Sequence, residues 1–370
     1  MAVGEASVRG MIGGKRPSAP RSVTHDRHRR MIAIACGWLW PLLLSASPRL
    51  GATPAIAGLP PVPAGIWSLQ WENSSLAGGG PTDRNYTNGL RLGWTSPVGK
   101  VPPSLAWLGN ALWGDGTRRV SLGIVQQMFT PADTQAKPPS PLDRPYAGYL
   151  AASLTLSQAN ANSRNTLGLA LGVIGPPAGG EEVQNGFHHL IGQGTNKGWG
   201  YQLRAEPTVE LTAGRTWRIR LDRTWTRRFG GIEADALPAV SAGIGNVRIY
   251  AETGVIFRLG QGLDADFGPS RLPPGLSGGS AFRQIRKLTW YVFLGVDGQA
   301  VGHDLFLDGN TFRSGPHVTR DPVIGEAEAG IAVIYHGVRI SYTQVVQTRS
   351  FHGQQGGPFN FGVFTLSTRF

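Results

Sequence analysis

Along most of the chain, apolar and polar residues alternate with a period of two, in runs of about ten residues broken by Gly, Pro, Asn and Asp. In 66–73, Trp67, Leu69 and Trp71 alternate with Ser68, Gln70 and Glu72. In 86–95, Leu90, Leu92 and Trp94 alternate with Gly89, Arg91 and Gly93. This period predicts β-strands with one apolar and one polar face. Further runs cover 118–129, 146–156, 166–174, 201–221, 233–245, 247–259, 286–300, 326–335, 338–348 and 360–370, about twelve strands in all. Pro238 marks an edge or bulge position within its run. The Gly- and Pro-rich segment 261–280 reads as an exposed, mobile loop. In the last run Phe364, Leu366 and the terminal Phe370 share one parity, while Thr365, Ser367 and Arg369 share the other.

These runs predict an all-β fold, a transmembrane antiparallel β-barrel of about twelve strands, an even number as single-chain bacterial barrels have. A soluble β-sandwich is the competing reading. Residues 58–370 form one barrel domain, with no internal repeat and no second domain. No later segment has the roughly 20 apolar residues of a membrane helix.

The N-terminus changes the reading of charge. Residues 32–47 are a short apolar run behind His28-Arg29-Arg30, and Ala55-Ile56-Ala57 resembles a cleavage site. Residues 1–57 therefore read as a secretory signal peptide with an upstream extension, Met31 being an alternative start. The whole chain has 35 basic and 23 acidic residues, net +12. Cleavage removes eight of the former and two of the latter, leaving 27 against 21, or +6. That is too diffuse for nucleic acid and suits anionic headgroups. The single cysteine, Cys36, lies in the signal, so the mature chain has no disulfide and no thiol nucleophile. Charged residues are only 16%, while Gly (53) and Trp (11) are abundant, which suits a membrane barrel better than a soluble enzyme.

Candidate chemistry lies at strand ends. The stretch 171–194 leaves a strand, breaks at Gly175-Pro176-Pro177 and continues as a polar loop with Glu181, Glu182, Gln184, Asn185, His188 and His189. Histidine suits proton transfer near neutral pH. Two other polar stretches are Glu72-Asn73-Ser74 with Thr82–Gly89, and Thr130-Pro131 with Lys137 and Asp143–Gly148. Asn73 shares parity with Trp67, Leu69 and Trp71, which places it on the lipid face. A polar group there is costly unless a headgroup or substrate meets it. Bland readings stand beside these: Asn73 and Thr87 as hairpin-end residues, Asp143-Arg144 as a lumenal ion pair, His189 as a bystander.

In their order, Glu-Asn-x, Asp-Arg-x-Tyr-Thr-x-Gly, Thr-Pro, Asp-Arg-Pro-Tyr-Ala-Gly and Gly-Val-Ile-Gly-Pro…Glu-Val-Gln-Asn-x-x-His resemble the LpxR-type lipid A deacylase family. His303, Leu307–Asn310, Thr348 and Phe351–Gln354 extend the resemblance over nearly the whole mature chain. It implies a monomeric twelve-stranded bacterial outer-membrane barrel that removes the 3′-acyloxyacyl chain of lipid A in the outer leaflet by Ca²⁺-dependent ester hydrolysis. His188 matches the catalytic histidine, a general base for water. Asn73 and Thr87 match further catalytic positions, and Gln184 a functional glutamine. Lys137 lies close to a functional basic pair and, with Arg144, would hold a lipid A phosphate.

Two positions depart from the family. Its metal-binding Asp after Asn73 is Ser74 here, and the acid six residues after the histidine is Gly194. The metal ligands are therefore unassigned. Asp83, Glu181, Glu182 and Glu206 are the nearby carboxylates. Two further readings stay open: a non-catalytic barrel of the same family, and a phospholipase-like esterase.

Overall fold

The computed structural model describes residues 64–78, 82–221 and 231–370, so the signal read within 1–57 lies outside the described residues. The strands are β1 (Ile66–Asn73), β2 (Asn85–Thr95), β3 (Thr117–Thr130), β4 (Ala147–Ala159), β5 (Ser163–Ile174), β6 (Glu206–Trp217), β7 (Ile219–Arg220), β8 (Glu233–Gly245), β9 (Arg248–Gln261), β10 (Leu288–Asp304), β11 (Val323–Tyr335), β12 (Val338–Gln347) and β13 (Phe359–Arg369). Neighbours pair antiparallel, and β1 closes on β13 with Ile66 opposite Arg369 and Asn73 opposite Gly362. The two-residue β7 continues β6 past Arg218, and both pair with β8. Thirteen segments thus make the twelve staves that the alternation predicts. Among the described residues closure leaves no stave without two neighbours, the condition for strands in lipid.

Parity sorts the side chains. Trp67 and Leu69, Leu90 and Leu92, and Leu122 and Ile124 are exposed on the outer wall. Ser68, Gln70 and Glu72 are buried on the lumenal side. Pro238 sits where pairing with β6 ends at Ala239 and pairing with β7 resumes at Ala236, so its missing N–H costs no ladder bond there. Phe370 follows β13, donates its amide to Gly65 O at 3.1 Å and lays its ring 6.2 Å from Trp67. Among the described residues no helix is long and apolar enough to cross a membrane.

The reading of 261–280 as an exposed, mobile loop is overturned. The segment folds back into the barrel as a plug, and Ala265–Leu272 are all buried. Its polar groups find partners on the inner wall. Ser270 Oγ donates to Gln70 at 3.1 Å, and Leu272 N to Glu72 at 2.9 Å. Arg271 bridges Glu326 (2.8 Å) and Glu328 (3.1 Å). Asp266 receives Arg258 (2.7 Å) and Arg339 (3.2 Å). Gly and Pro let the backbone turn within the lumen, and the charges are balanced by acids and arginines of the inner wall.

The start of β1 at Ile66 and the end of β13 at Arg369 lie at one mouth, together with the helix α1 (Pro103–Trp113) that joins β2 to β3. The opposite rim carries residues 74–78 and 82–84 and the loops 131–146, 175–205, 305–322 and 348–358, and the candidate site belongs to this rim.

Candidate functional site

The polar stretch after Gly175 is a helix, α2 (Gly180–Leu190), where the alternation suggested a loop. It lies against the outside of the wall. Gln126, outward on β3, donates through Nε2 to Ala178 O at 2.8 Å and so holds the turn before the helix. Gly148 on β4 and Gly180 meet backbone to backbone. A Cβ on Gly148 would stand 3.1 Å from Gly180 N, and one on Gly180 would stand 2.7 Å from the Trp199 ring. The absence of both side chains lets α2 sit flush on the barrel.

Helical spacing then divides α2 in two. Gln184 and His188, one turn apart, are buried toward the wall. Val183, Phe187 and Leu190 are exposed on the other side, Leu190 to 80%. Glu181 and Glu182 are exposed in the first turn, where the helix dipole favours acids. His189 is exposed and faces away from the wall.

His188 is held at both ring nitrogens. Nε2 lies 2.9 Å from Asp83 Oδ2, and Nδ1 lies 3.0 Å from the Gly194 carbonyl. Both partners accept hydrogen bonds, so the imidazolium satisfies both and a neutral ring only one. Gln184 Oε1 accepts the Trp199 indole N–H at 2.9 Å, while its buried Nε2 has no partner. A buried donor without an acceptor is costly, and it marks where a ligand oxygen would be welcome.

Asp83 has a left-handed backbone (φ 58) and is tied on both sides. Its N–H donates to Ser74 Oγ at 3.2 Å, and its carbonyl accepts from Thr130 Oγ1 at 2.6 Å. Thr130 spends its only proton there, so Thr87 is the donor in the 2.7 Å Thr87–Thr130 contact. The pairing of β2 with β3 shifts between Tyr86 and Asn88, so Thr87 is the extra, bulged residue and turns its hydroxyl to Thr130. Thr87, Thr130, Asp83 and His188 therefore form one connected chain.

The two departures from the family become explicable. Ser74 places Asp83 through its hydroxyl, and Gly194 binds His188 through its carbonyl. Neither position carries a carboxylate, and both serve the Asp83–His188 pair. Sequence reasoning held Asp83 only as one of four nearby acids. The Asp-Arg-x-Tyr-Thr spacing gave its location, but not its partner.

Asn73 lies on the lipid side beside this chain. Its Nδ2 donates to Asn88 at 2.9 Å, and its Oδ1 caps the following turn by accepting Ser75 N at 2.7 Å. Trp71 Nε1 also donates to Asn88, at 2.8 Å. Lys137 is exposed on the rim loop. That loop is fastened to the segment after α2 by Lys197 N to Thr134 O (3.0 Å) and Gln135 to Thr195 O (3.2 Å).

Arg144 corrects an expectation, because it does not join Lys137. Its guanidinium turns inward over the lumenal ring of Phe129, 4.8 Å from the centroid, and is buried. Burial pulls its pKa down to about 10 against the opposing pull of Asp304. The aromatic face and the lumenal acid draw it away from the outer wall. Glu206 also lies elsewhere, bracing the 305–322 loop by accepting Asn310 Nδ2 at 3.1 Å and Thr311 N at 3.0 Å.

Calcium takes six to eight oxygens, usually including several carboxylates. The wall beside His188 offers one carboxylate, Asp83, already spent on the imidazole, and the hydroxyls of Ser74, Thr87 and Thr130. Among the described residues no three His, Cys, Asp or Glu side chains converge as a metal site. The donor set does not fit calcium.

A closed barrel with an apolar belt, a plugged lumen and a polar cluster covered by an amphipathic helix is an outer-membrane barrel with its candidate site on the lipid-facing wall. Residues 39–370 match the model of the family described as outer membrane protein LpxR, and the chain belongs to that family. The barrel is similar to LpxR from Salmonella typhimurium at 24% identity and a TM-score of 0.67, over 82% of this chain and 100% of that one. It is more distantly similar to the β-domain of the Bordetella autotransporter BrkA at 9% identity and a TM-score of 0.39, over 83% of this chain and 98% of that one. No curated protein sequence matches the chain.

Proposed function

We propose that this chain is a monomeric lipid A deacylase that hydrolyses the 3′-acyloxyacyl ester in the outer leaflet, reached after export through a cleaved signal peptide. The observation that carries the reading is the His188–Asp83 pair beneath α2, with the unpartnered Gln184 Nε2 one turn away. Asp83 fixes Nε2–H and leaves Nδ1 as the basic nitrogen. The incoming ester displaces the Gly194 carbonyl from Nδ1, and a water takes its place. Nδ1 removes a proton as the water oxygen attacks the ester carbonyl. The tetrahedral oxyanion is met by Gln184 Nε2, a donor of the kind worth about 3–4 kcal/mol to such a step. Collapse breaks the C–O bond, and His188 returns the proton to the leaving alkoxide. Lys137 takes a phosphate of lipid A at the rim. Asn73 and Thr87 shape the wall of the pocket, Asn73 by capping its turn and Thr87 by steadying Thr130 and thereby Asp83.

No step passes through a metal, because the donor set does not fit one. A second reading, a barrel of this family without turnover, is favoured by one observation: both nitrogens of His188 are engaged. Mass spectrometry of lipid A from cells making the native chain or His188→Ala separates the two. Loss of the acyl chain with the native protein alone supports hydrolysis. Unchanged lipid A in both sinks it. Loss of acyl groups from phospholipid instead would assign a phospholipase-like esterase.

A further inference from the structure

The plug does not fill the lumen. Between its Ser270–Ser280 arm and the inner faces of β2 to β6, β8 and β9 lies a chamber of about 230 Å³. Hydroxyls line part of its wall, among them Ser121, Ser153, Thr155, Ser157, Thr166 and Thr212. Arg91 and Arg164 also line it.

These two arginines differ from the others that meet the plug. Arg258, Arg271 and Arg339 each bind a carboxylate. Among the described residues neither Arg91 nor Arg164 forms an ion pair. Arg91 Nη1 has only Ser280 Oγ at 3.4 Å, and Arg164 Nη1 only the Ser277 carbonyl at 3.1 Å. Two acids line the chamber, and neither pairs with them. Glu252 is taken by Ser241 Oγ (2.8 Å) and Gly275 N (3.2 Å), and Glu210 makes no ion pair.

The space around Arg91 is kept by glycine. A Cβ on Gly93 would stand 2.7 Å from Nη1, and one on Gly123 would stand 2.9 Å from Nε. Gly279, at φ +76, leaves room in the same way for the Arg164 guanidinium. Lumenal guanidiniums without a counter-charge are unfavourable unless water or an anion compensates them. A guanidinium fork beside hydroxyl donors matches a tetrahedral oxyanion.

We propose that the chamber is a binding site for a small oxyanion of the phosphate or sulfate class, held by Arg91 and Arg164 with the neighbouring hydroxyls. It lies inside the barrel and is independent of the outer-wall pocket, so it stands whether or not His188 is catalytic.

Calorimetric titration of the folded full barrel in detergent with inorganic phosphate, at constant ionic strength set with chloride, tests the assignment. Saturable binding of about one phosphate per chain is expected. The double variant Arg91→Gln/Arg164→Gln should weaken it at least tenfold, and Arg204→Gln at the surface should leave it unchanged. If the double variant fails to fold, Arg91→Lys/Arg164→Lys keeps the charge but loses the fork, and should weaken binding about tenfold. Absence of saturable binding to the native chain overturns the proposal. So does unchanged affinity in whichever double variant folds.

Discussion

Asp83 and His188 are 105 positions apart in sequence and 2.9 Å apart in space, and the reading of the site turns on that contact. His188→Ala is expected to lower deacylation roughly 10²–10⁴-fold, the range for a positioned proton acceptor. Asp83→Asn keeps the shape but removes the charge that orients the ring, and a loss on the order of 10²-fold or more is expected. Gln184→Ala should cost roughly 10²–10³-fold in kcat if its Nε2 meets the oxyanion. Steady-state kinetics on detergent-dispersed lipid A measures all three, and full activity in Asp83→Asn would contradict the orienting role. The motif order made His188 legible as the candidate base. Its partner was not legible, because Asp83 reaches it only through a left-handed turn fixed by Ser74 and Thr130. Chelation gives a further check. Because the pocket lacks a calcium donor set, turnover in EDTA should stay within about twofold, whereas dependence on added Ca²⁺ would mean that other oxygens assemble when substrate binds. Acid stability reports on Asp308. Burial pushes its carboxyl up, but His303 at 3.0 Å, the Asp304 amide and Arg320 outweigh this and hold it below 3.8. A depressed folded-state pKa stabilises the fold above the unfolded value, and that contribution is lost as pH falls through the folded one. Asp308→Asn should therefore flatten the loss of stability below about pH 4, read from thermal unfolding in detergent.

At the scale of the element, α2 is what covers the His188–Asp83 pair on the barrel wall. Its seat depends on the Gly148–Gly180 contact, so Gly180→Val would push the helix off the Trp199 ring. Overpacking of this kind costs about 1–3 kcal/mol. The expected result is a barrel that still migrates as folded on unheated gels but has lost most of its activity. The strands were legible because period-two patterning repeats along every stave. The helix was read as a loop because its eleven residues begin at a glycine after Pro176-Pro177 and carry another glycine at 186. The spacing of Val183, Phe187 and Leu190, opposite Gln184 and His188, was the available signal, too short to outweigh the breakers.

The whole molecule is a barrel stabilised from within as well as by its belt. Arg271→Ala would leave Glu326 and Glu328 without their cation. Breaking a buried ion pair in this way costs about 3–5 kcal/mol, which should appear as a clearly lower unfolding temperature. The plug was hidden in the sequence because its composition is that of a flexible linker. Its partners are remote: Arg271 reaches Glu326, 55 positions on, and Ser270 reaches Gln70, 200 positions back. No local pattern carries pairings of that range.

The outward placement of the pocket has a kinetic consequence. Under the proposed function, a substrate embedded in the leaflet reaches α2 by lateral diffusion in a plane, without leaving the bilayer. The concentration that governs turnover is then a mole fraction at the surface. Diluting lipid A with inert amphiphile in mixed micelles should slow the reaction at constant bulk concentration, whereas adding buffer should leave it unchanged.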